Sequence, residues 1–254
     1  MSILNQEVLL TAAILICAAF IPSLVYLRWI RNAELHSKQK WSTLFKLFIW
    51  GAIFAVIMAV ILSLVFLGAI QSSGLVREYQ FLEDRTIMTL IIVCVIAPVV
   101  EEFTKVLGVF SAKNSIFSLE DGFVLGAAAG LGFAATENLL YESTALFHEG
   151  VQAFVVVVIL RSVASTLLHG SASAVAGYGI SKGHLTGKHS FIPYYLIAVI
   201  MHGSFNYLAS AGLIYGGRIP ILALIVAVFF SVISITIVRG KITKLNKRSR
   251  VFKR

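Results

Sequence analysis

The sequence predicts an all-α, polytopic transmembrane helix bundle of about seven spans, folded as a single integral membrane domain over residues 1–254. Hydrophobic residues make up 58% of the chain and the mean hydropathy is +0.90, whereas soluble domains are about 45–50% apolar. Several apolar runs reach about 20 residues, the length that crosses about 30 Å of hydrocarbon. The predicted location is therefore a cell membrane, as a multi-pass protein.

The apolar runs divide the chain without repeats or long linkers. No Lys or Arg precedes Arg28, so we expect the first run to be a retained span rather than a signal peptide with a basic leader. The predicted catalytic core covers about residues 86–209. The predicted spans are 8–27, 47–70, 86–110, 122–141, 151–180, 191–209 and 219–238.

Basic residues predict the orientation. Most of the 21 Lys and Arg residues fall on one side of the seven-span arrangement, and cytoplasmic loops carry such an excess. The sequence thus predicts an outside N-terminus and a cytoplasmic C-terminus. Residues 239–254 are predicted to be a basic cytoplasmic tail that touches anionic lipid headgroups. No aromatic platform or known binding motif accompanies the tail, so the net charge of +9 does not indicate a nucleic-acid partner.

Two adjacent carboxylates and a lysine stand late in the third span, as Glu101-Glu102-x-x-Lys105. Charged side chains within a membrane usually face a cavity and mark function, although a structural ion pair is the alternative. On a helix, Glu101 and Lys105 are four residues apart and can pair, while Glu102 points about 100° away. We therefore expect Lys105 to hold Glu101 and leave Glu102 as the preferred base. Pro98 could kink the helix there and exchange the two roles.

Glu137 stands in the fourth span, on the same helical face as Gly126 and Gly130. Small residues four apart allow two helices to approach closely, so this face should lie inside the bundle. The alternative is that Glu137 only packs and hydrogen-bonds. Asn138 follows it directly.

The fifth and sixth spans carry histidines. His169 shares a polar face with serines and, eight residues earlier, with Arg161, which we expect to snorkel or to pair with Glu142 or Glu149. His202 and Asn206 are four residues apart and can present an imidazole and an amide to one oxyanion. The alternative interpretation is that this pair only makes hydrogen bonds that hold two helices together.

The candidate residues should share one depth. Glu101 and Glu137 lie at similar distances from the turn between them, and so do His169 and His202. At 1.5 Å per residue, all four lie roughly 25 Å from the cytoplasmic turns. This joint arrangement predicts a functional polar centre inside the membrane.

Four motifs resemble the PrsW family of intramembrane proteases, in family order over about residues 97–208. More distant CAAX prenyl proteases are similar in using Glu-Glu, Phe-x-x-x-His and His-x-x-x-Asn motifs. Here the second motif ends in glutamate, which favours the PrsW branch. The four motifs are Glu101-Glu102-x-x-Lys105, Phe133-x-x-x-Glu137-Asn138-x-x-Tyr141, His169-Gly170 followed by Gly177-Tyr178, and His202-Gly203-x-x-Asn206.

The resemblance implies an intramembrane endopeptidase that hydrolyses a peptide bond of a membrane-anchored protein. In the bacterial prototype of the family, the substrate resembles a single-span anti-sigma factor that is cut on the extracytoplasmic side, the site-1 cut. The expected partners are therefore a single-span membrane protein and the lipid bilayer.

Hydrolysis needs an activated water, a proton donor and a stabilised oxyanion. We expect Glu101 or Glu102 to be the general base, oriented by Lys105 or by the other carboxylate. His169 would assist proton transfer, and Glu137, with Asn138 in support, would hold water or a histidine. The expected oxyanion site consists of His202 and Asn206.

Three alternatives stay open. No cofactor is required in the preferred mechanism, but Glu101, Glu137, His169 and His202 are a sufficient set of zinc ligands, with one position left for water. A proton-coupled transporter or channel would also use intramembrane Glu and His residues, although no inverted repeat is present. A silent scaffold or receptor is the third class.

Overall fold

The computed structural model describes residues 3–36, 38–187 and 190–249. Within these ranges the regular structure is entirely helical, so the predicted all-α class is confirmed. The α-helices are α1 (Ile3–Arg31), α2 (Trp41–Ile49), α3 (Val56–Ser72), α4 (Leu75–Glu78), α5 (Arg85–Ile91), α6 (Ala97–Ser111), α7 (Leu119–Thr144), α8 (Val151–Leu160), α9 (Thr166–Thr186), α10 (Phe191–Ala209) and α11 (Ile219–Ser249). Short 3₁₀ helices cover Gln80–Glu83, Lys113–Ser115 and Ala211–Leu213.

Four π-helical segments continue these helices or join them into longer rods. A π turn bonds residue i to i+5, and such turns frequently occur at functional sites. Two of them leave a backbone carbonyl that accepts a side-chain donor from another helix: Thr136 Oγ1 donates to the Ala52 oxygen at 2.7 Å, and Asn206 Nδ2 to the Val93 oxygen at 2.8 Å. The π segments are Trp50–Ala55, Ile92–Ile96, Ala145–Glu149 and Arg161–Ser165.

Six helices in the described part of the chain are long and apolar enough to cross a membrane. The helix Phe191–Ala209 forms where the sixth span was predicted but is not among them, because polar residues such as His202 and Asn206 lower its hydropathy. The count of seven spans and the orientation of the termini stay predictions. The six candidates are Gln6–Arg31, Trp41–Ser72, Arg85–Ser111, Leu119–Glu149, Val151–Thr186 and Ile219–Lys247.

Helix α7 is the centre of the bundle. In its most apolar stretch 78% of the residues are buried, against 11–28% in the other five candidate spans. A Cβ atom added to Gly126 would lie 2.1 Å from the Ser173 oxygen, and one added to Gly130 would lie 2.3 Å from the His169 oxygen. The predicted close approach along this glycine stripe is therefore confirmed, and the neighbouring helix is α9.

One end of the bundle, here called the basic end, gathers the ends of α1, α6 and α11 with the start of α7. Asn246 Oδ1 accepts hydrogen bonds from the N–H groups of Leu35 and His36, and Asn246 Nδ2 donates to Glu120 Oε1 at 3.0 Å. Gln39 Nε2 donates to the Ser115 oxygen at 2.8 Å. Basic residues that define this end include Arg31, Lys113 and Lys241.

The predicted tail is helical as far as the structure describes it, because α11 runs from Ile219 to Ser249. The basic residues Lys188, Arg250, Lys253 and Arg254, which were also used to predict the orientation, lie outside the described residues.

Candidate active site

Lys105 lies at the centre of the predicted polar residues, with a fully buried side chain. Its ammonium nitrogen is 2.8 Å from Glu102 Oε1, 2.8 Å from His169 Nδ1 and 3.5 Å from Glu101 Oε2. An ammonium has three protons and no lone pair, so it donates to all three acceptors. The nitrogen also lies 4.1 Å from the centre of the Phe133 ring, a cation–π contact. Lys105 therefore ties α6 to α7 and α9.

Glu102 is saturated with hydrogen bonds and fully buried. Its Oε1 accepts from Lys105 and from His202 Nδ1 at 3.0 Å, and its Oε2 accepts from Ser173 Oγ at 2.8 Å. A buried charge is tolerated when it is paired and hydrogen-bonded in this way. Glu102 has no exposed face to offer a substrate.

Glu101 is the carboxylate that keeps access. Its side chain is 13% exposed, and Oε2 lies 3.5 Å from Lys105 Nζ and 3.8 Å from His202 Nε2. The predicted contact between Lys105 and Glu101 is present, but the closer partner of the lysine is Glu102. The structure thus reverses the expected division, because the lysine binds Glu102 more closely than Glu101, and Glu101 keeps an exposed face. Pro98 stands in the first turn of α6, directly after the π segment Ile92–Ile96.

The second half of the cluster is centred on Glu137. Its Oε2 accepts from His169 Nε2 at 2.9 Å and pairs with Arg161 Nη2. The Arg161 Nε donates to Asn138 Oδ1 at 2.9 Å, and the guanidinium carbon lies 3.9 Å from the centre of the Tyr141 ring. Asn138 Nδ2 in turn donates to Thr166 Oγ1 at 2.8 Å.

Arg161 is part of this polar cluster, although it was not among the predicted site residues. We expected it to snorkel or to pair with Glu142 or Glu149, whereas its hydrogen-bonded ion pair is with Glu137. The sequence feature that pointed to Arg161 was its position on the polar helical face that also carries His169. Arg161 begins the π segment Arg161–Ser165, which shifts the helical phase before His169, so counting in α-helical steps could not fix the direction of the Arg161 side chain.

The two histidines meet inside the bundle, where their ring centroids are 4.7 Å apart. Because a carboxylate accepts, His202 donates from Nδ1 to Glu102 and has its Nε2 toward Glu101. Because an ammonium donates, His169 accepts at Nδ1 and donates from Nε2 to Glu137. A continuous chain of polar contacts therefore runs from Glu137 through His169, Lys105 and Glu102 to His202.

Asn206 lies apart from this chain. Its side-chain amide donates to the backbone oxygen of Val93, in the π segment that directly precedes α6. A Cβ added to Gly203, on the same helix, would lie 2.5 Å from the Cys94 oxygen, so α10 presses closely on that segment. Asn206 thus acts as a contact between helices in this arrangement.

Three of the four predicted metal ligands offer donor atoms within 4.8 Å of one another: Glu101, His169 and His202. Two imidazoles and a carboxylate are a donor set that suits zinc. Both ring nitrogens of His169 already contact protein groups, Lys105 and Glu137, so a metal ion would replace one of these contacts. The fourth predicted ligand, Glu137, is not part of the three-residue group and is paired with Arg161.

Two cavities reach the cluster from different sides. One of about 340 Å³ lies between α3 and α7 and is lined by Glu101, Glu137 and Tyr141 together with apolar residues. The other, of about 320 Å³, lies among α8, α10 and α11, and it is lined by Glu137, Tyr141, Arg161 and Asn206. Glu101 lines the first of these cavities and not the second.

Comparisons with known proteins agree with the resemblance seen in the motifs. Residues 39–235 match the model of a family described as "PrsW family intramembrane metalloprotease". The chain is also 28% identical over 198 residues to the protease PrsW of Clostridioides difficile strain 630. This alignment covers 75% of this chain and 76% of the relative. No solved structure matches. The chain therefore belongs to the PrsW family and is an intramembrane protease.

Proposed function

We propose that this protein cuts a single-span membrane protein by means of a water molecule that Glu101 activates. The observation that carries the proposal is the difference between the two adjacent carboxylates. Glu102 is buried and fully hydrogen-bonded, whereas Glu101 is partly exposed and lines a cavity. A general base must reach the proton that it abstracts, and Glu101 meets that condition.

The attacking water lies between Glu101 Oε2 and His202 Nε2. These atoms are 3.8 Å apart, too far for a direct hydrogen bond but suited to a bridging water. Both are acceptors, since Nδ1 of His202 carries the proton that Glu102 accepts. The water donates both of its protons to them, and its lone pairs point into the cavity.

Peptide hydrolysis then needs one proton to move twice. As the water oxygen attacks the peptide carbonyl, its proton passes to Glu101, and the protonated Glu101 gives it to the leaving nitrogen. Lys105 and Glu102 are positioning residues, because they hold Glu101 and His202 in place. His169, oriented by Glu137 and Lys105, packs against His202 and fixes its ring. The oxyanion role predicted for Asn206 is not part of this proposal, because its amide is bound to Val93.

A metal-dependent version is the second candidate, and the group of Glu101, His169 and His202 favours it. A zinc ion held by these residues would supply Lewis-acid chemistry to the peptide carbonyl. In that state His169 would lose the Nε2 proton that it donates to Glu137, or Lys105 would withdraw from Nδ1. Glu101 would then be a ligand, and Glu137 would be the remaining carboxylate on the cavity wall.

The proposed substrate class is a single-span protein similar to an anti-sigma factor, cut at the extracytoplasmic site. This part of the proposal rests on the resemblance of the motifs and on membership in the family. The same membership favours a peptidase over the transporter, channel and scaffold alternatives.

The test is cleavage of a panel of single-span reporters in detergent and in liposomes, with and without a strong chelator. Glu101→Gln should lower the cleavage rate by about 10²–10⁴, the usual contribution of general acid–base catalysis. The control Glu149→Gln changes an exposed carboxylate at the end of a π segment and should leave the rate unchanged. Full activity in Glu101→Gln would contradict the proposal.

Metal content decides between the two mechanisms. The purified protein should be analysed for zinc by mass spectrometry, before and after chelation, in parallel with the cleavage assay. Activity that survives removal of all metal supports activation by Glu101 alone. Stoichiometric zinc that disappears in His169→Ala and His202→Ala, together with cleavage, supports the metal-dependent version.

A further inference from the structure

Helices α3 and α7 diverge from a tight crossing. A Cβ added to Gly51 would lie 2.0 Å from the Ala129 oxygen, and one added to Gly132 would lie 2.0 Å from the Phe48 oxygen. The rod that contains α2 and α3 is therefore pressed against α7 at this point. Beyond it the cavity of about 340 Å³ separates the two helices. We call this space the α3–α7 wedge, lined by Ala59, Ser63 and Leu67 of α3 and by Phe133, Glu137 and Leu140 of α7.

The outer wall of the wedge is α3, which has little buried surface against the rest of the bundle. Ala59 is the only residue of Val56–Ser72 that is buried. The side chains on the far face of α3, such as Ile57, Ile61 and Val65, are more than half exposed on the surface of the bundle. A helix with so few buried residues can move at a small energetic cost, because little apolar packing is lost.

The inner wall of the wedge carries the chemistry. Glu101 and Glu137 both line it, and Phe133 and Leu140 form the apolar surface between and beyond them. The cavity on the other side of Glu137 lacks Glu101, so a peptide bound there would not meet the proposed base. A substrate that is cut must therefore lie in the wedge.

We infer that the α3–α7 wedge binds the transmembrane segment of the substrate in extended form, and that α3 is the lateral gate through which the segment arrives from the bilayer. The inference rests on the proposed function. The apolar walls match the side chains of a membrane span. An unwound backbone in hydrocarbon needs polar partners for its N–H groups, and the carboxylates of Glu101 and Glu137 can accept them.

Photo-crosslinking tests where the substrate lies. A photoreactive leucine analogue, which adds less volume than a phenylalanine ring, is placed at Ser63 in the wedge, at Leu224 in the other cavity, or at Phe229 on the exposed face of α11. Each variant also carries Glu101→Gln, so that bound substrate is not consumed. Irradiation in liposomes with a single-span reporter should give the substrate adduct mainly at Ser63.

The outcomes separate the two proposals. Adducts mainly at Leu224, or equally at Phe229, would show that the substrate does not bind in the wedge. If the wild type still cuts the reporter, the proposed function is unaffected by that result. Adducts at Ser63 with a wild type that cuts no reporter would overturn the proposed function and keep the wedge as a binding site. A phospholipid adduct at Ser63 that excess substrate does not displace would overturn the wedge as a substrate site.

A steric test does not depend on crosslinking. Ser63→Phe fills the wedge and should lower the cleavage of membrane reporters about tenfold, because the ring occupies volume that the substrate needs. Ile61→Phe places the same ring on the outward face of the same helix and should leave cleavage unchanged. Equal rates in the two variants, with both proteins folded, would contradict a substrate path along α3.

Discussion

The bundle buries two clusters of polar residues that are built differently. The site cluster joins Glu101, Glu102 and Glu137 to Lys105 and Arg161 through contacts between side chains. At the basic end, by contrast, the buried Glu34 accepts from the backbone N–H of Gln39, and the buried Asn246 accepts from the backbone N–H groups of residues 35 and 36.

The difference teaches what each cluster is for. Hydrogen bonds from a side chain to a loop backbone fix the ends of helices, and nothing in them needs to move. Bonds between charged side chains on different helices hold acidic and basic groups close together in a low dielectric, where each affects the others strongly. Two cavities reach the site cluster as well. We therefore infer that the basic-end cluster stabilises the ends of the helices, whereas the site cluster is arranged for catalysis.

The largest expected effect is that of removing the central cation. Lys105→Met leaves the buried Glu102 without its ion-pair partner, which should lower the free energy of unfolding by about 3–5 kcal/mol. Cleavage should be lost as well. Thermal unfolding in detergent and the reporter assay measure the two effects. The double variant Lys105→Met with Glu102→Gln should recover part of the stability, and a Lys105→Met protein as stable as the wild type would contradict the described contacts.

Replacing one carboxylate by an amide in each cluster tests the comparison directly. Glu101→Gln should lower cleavage by about 10²–10⁴ and leave thermal stability nearly unchanged. Glu34→Gln should leave cleavage nearly unchanged and alter thermal stability in a pH-dependent way, because Glu34 touches no cavity that reaches the site. If both variants lost activity to the same extent, the division into a chemical and a structural cluster would be wrong.

Two glycines on α7 offer a matched steric pair. A Cβ added to Gly130 would lie 2.3 Å from the His169 oxygen, and one added to Gly122 would lie 2.3 Å from the Gly177 oxygen nearer the basic end. Either change to alanine should reduce stability by about 1–3 kcal/mol, since the helices must separate. Only Gly130→Ala moves His169 and should also reduce cleavage by more than the loss of folded protein explains.

Measured per pH unit, the smallest expected effect is a pH dependence of stability at the basic end. Burial raises the pKa of Glu34 to about 8, with the charges of Asp121 and Glu120 adding to the shift, while the Gln39 N–H and Arg31 oppose it. The folded protein then holds a proton that the unfolded chain releases near pH 4.5. Stability should fall as pH rises from about 4.5 to about 8, by at most about 1.4 kcal/mol per pH unit.

Glu34→Gln removes this titrating group. The variant should therefore show a flatter dependence of melting temperature on pH across that window, and it should gain most relative to the wild type near pH 8. An identical pH profile in wild type and variant would show that the Glu34 carboxyl does not hold its proton in the folded protein.

The sequence predicts most of the site because its residues interrupt long apolar helices. Glu101, Glu137, His169 and His202 stand out as costly residues in hydrocarbon, and equal spacing from the turns places them at one depth. The sequence does not predict which carboxylate Lys105 holds. Both Glu101 and Glu102 lie one turn before Lys105 and within its reach, and the choice depends on Ser173 and His202, which complete the hydrogen bonds of Glu102.

The basic-end cluster was not predicted. Its contacts join residues that lie far apart in the chain, such as Leu35 and Asn246, and no periodic pattern links them. The helix Phe191–Ala209 shows the converse limit. Its polar residues, such as His202 and Asn206, single it out as part of the candidate site and at the same time reduce the hydropathy by which a span is recognised.

The π segment before Glu101 has a consequence for insertions and deletions. A π turn holds one residue more than an α turn, so it acts as a phase shift in the helix. Deleting one residue from Ile92–Ile96 would restore α-helical bonding and leave the helix intact. The helix before the deletion would keep its orientation relative to Glu101 and Lys105, because the wider turn had already absorbed the extra residue. The carbonyl of residue 93 would instead be bonded within the helix and lost to Asn206. A deletion that spares every polar residue of the site would therefore remove a contact that holds α10 against this segment.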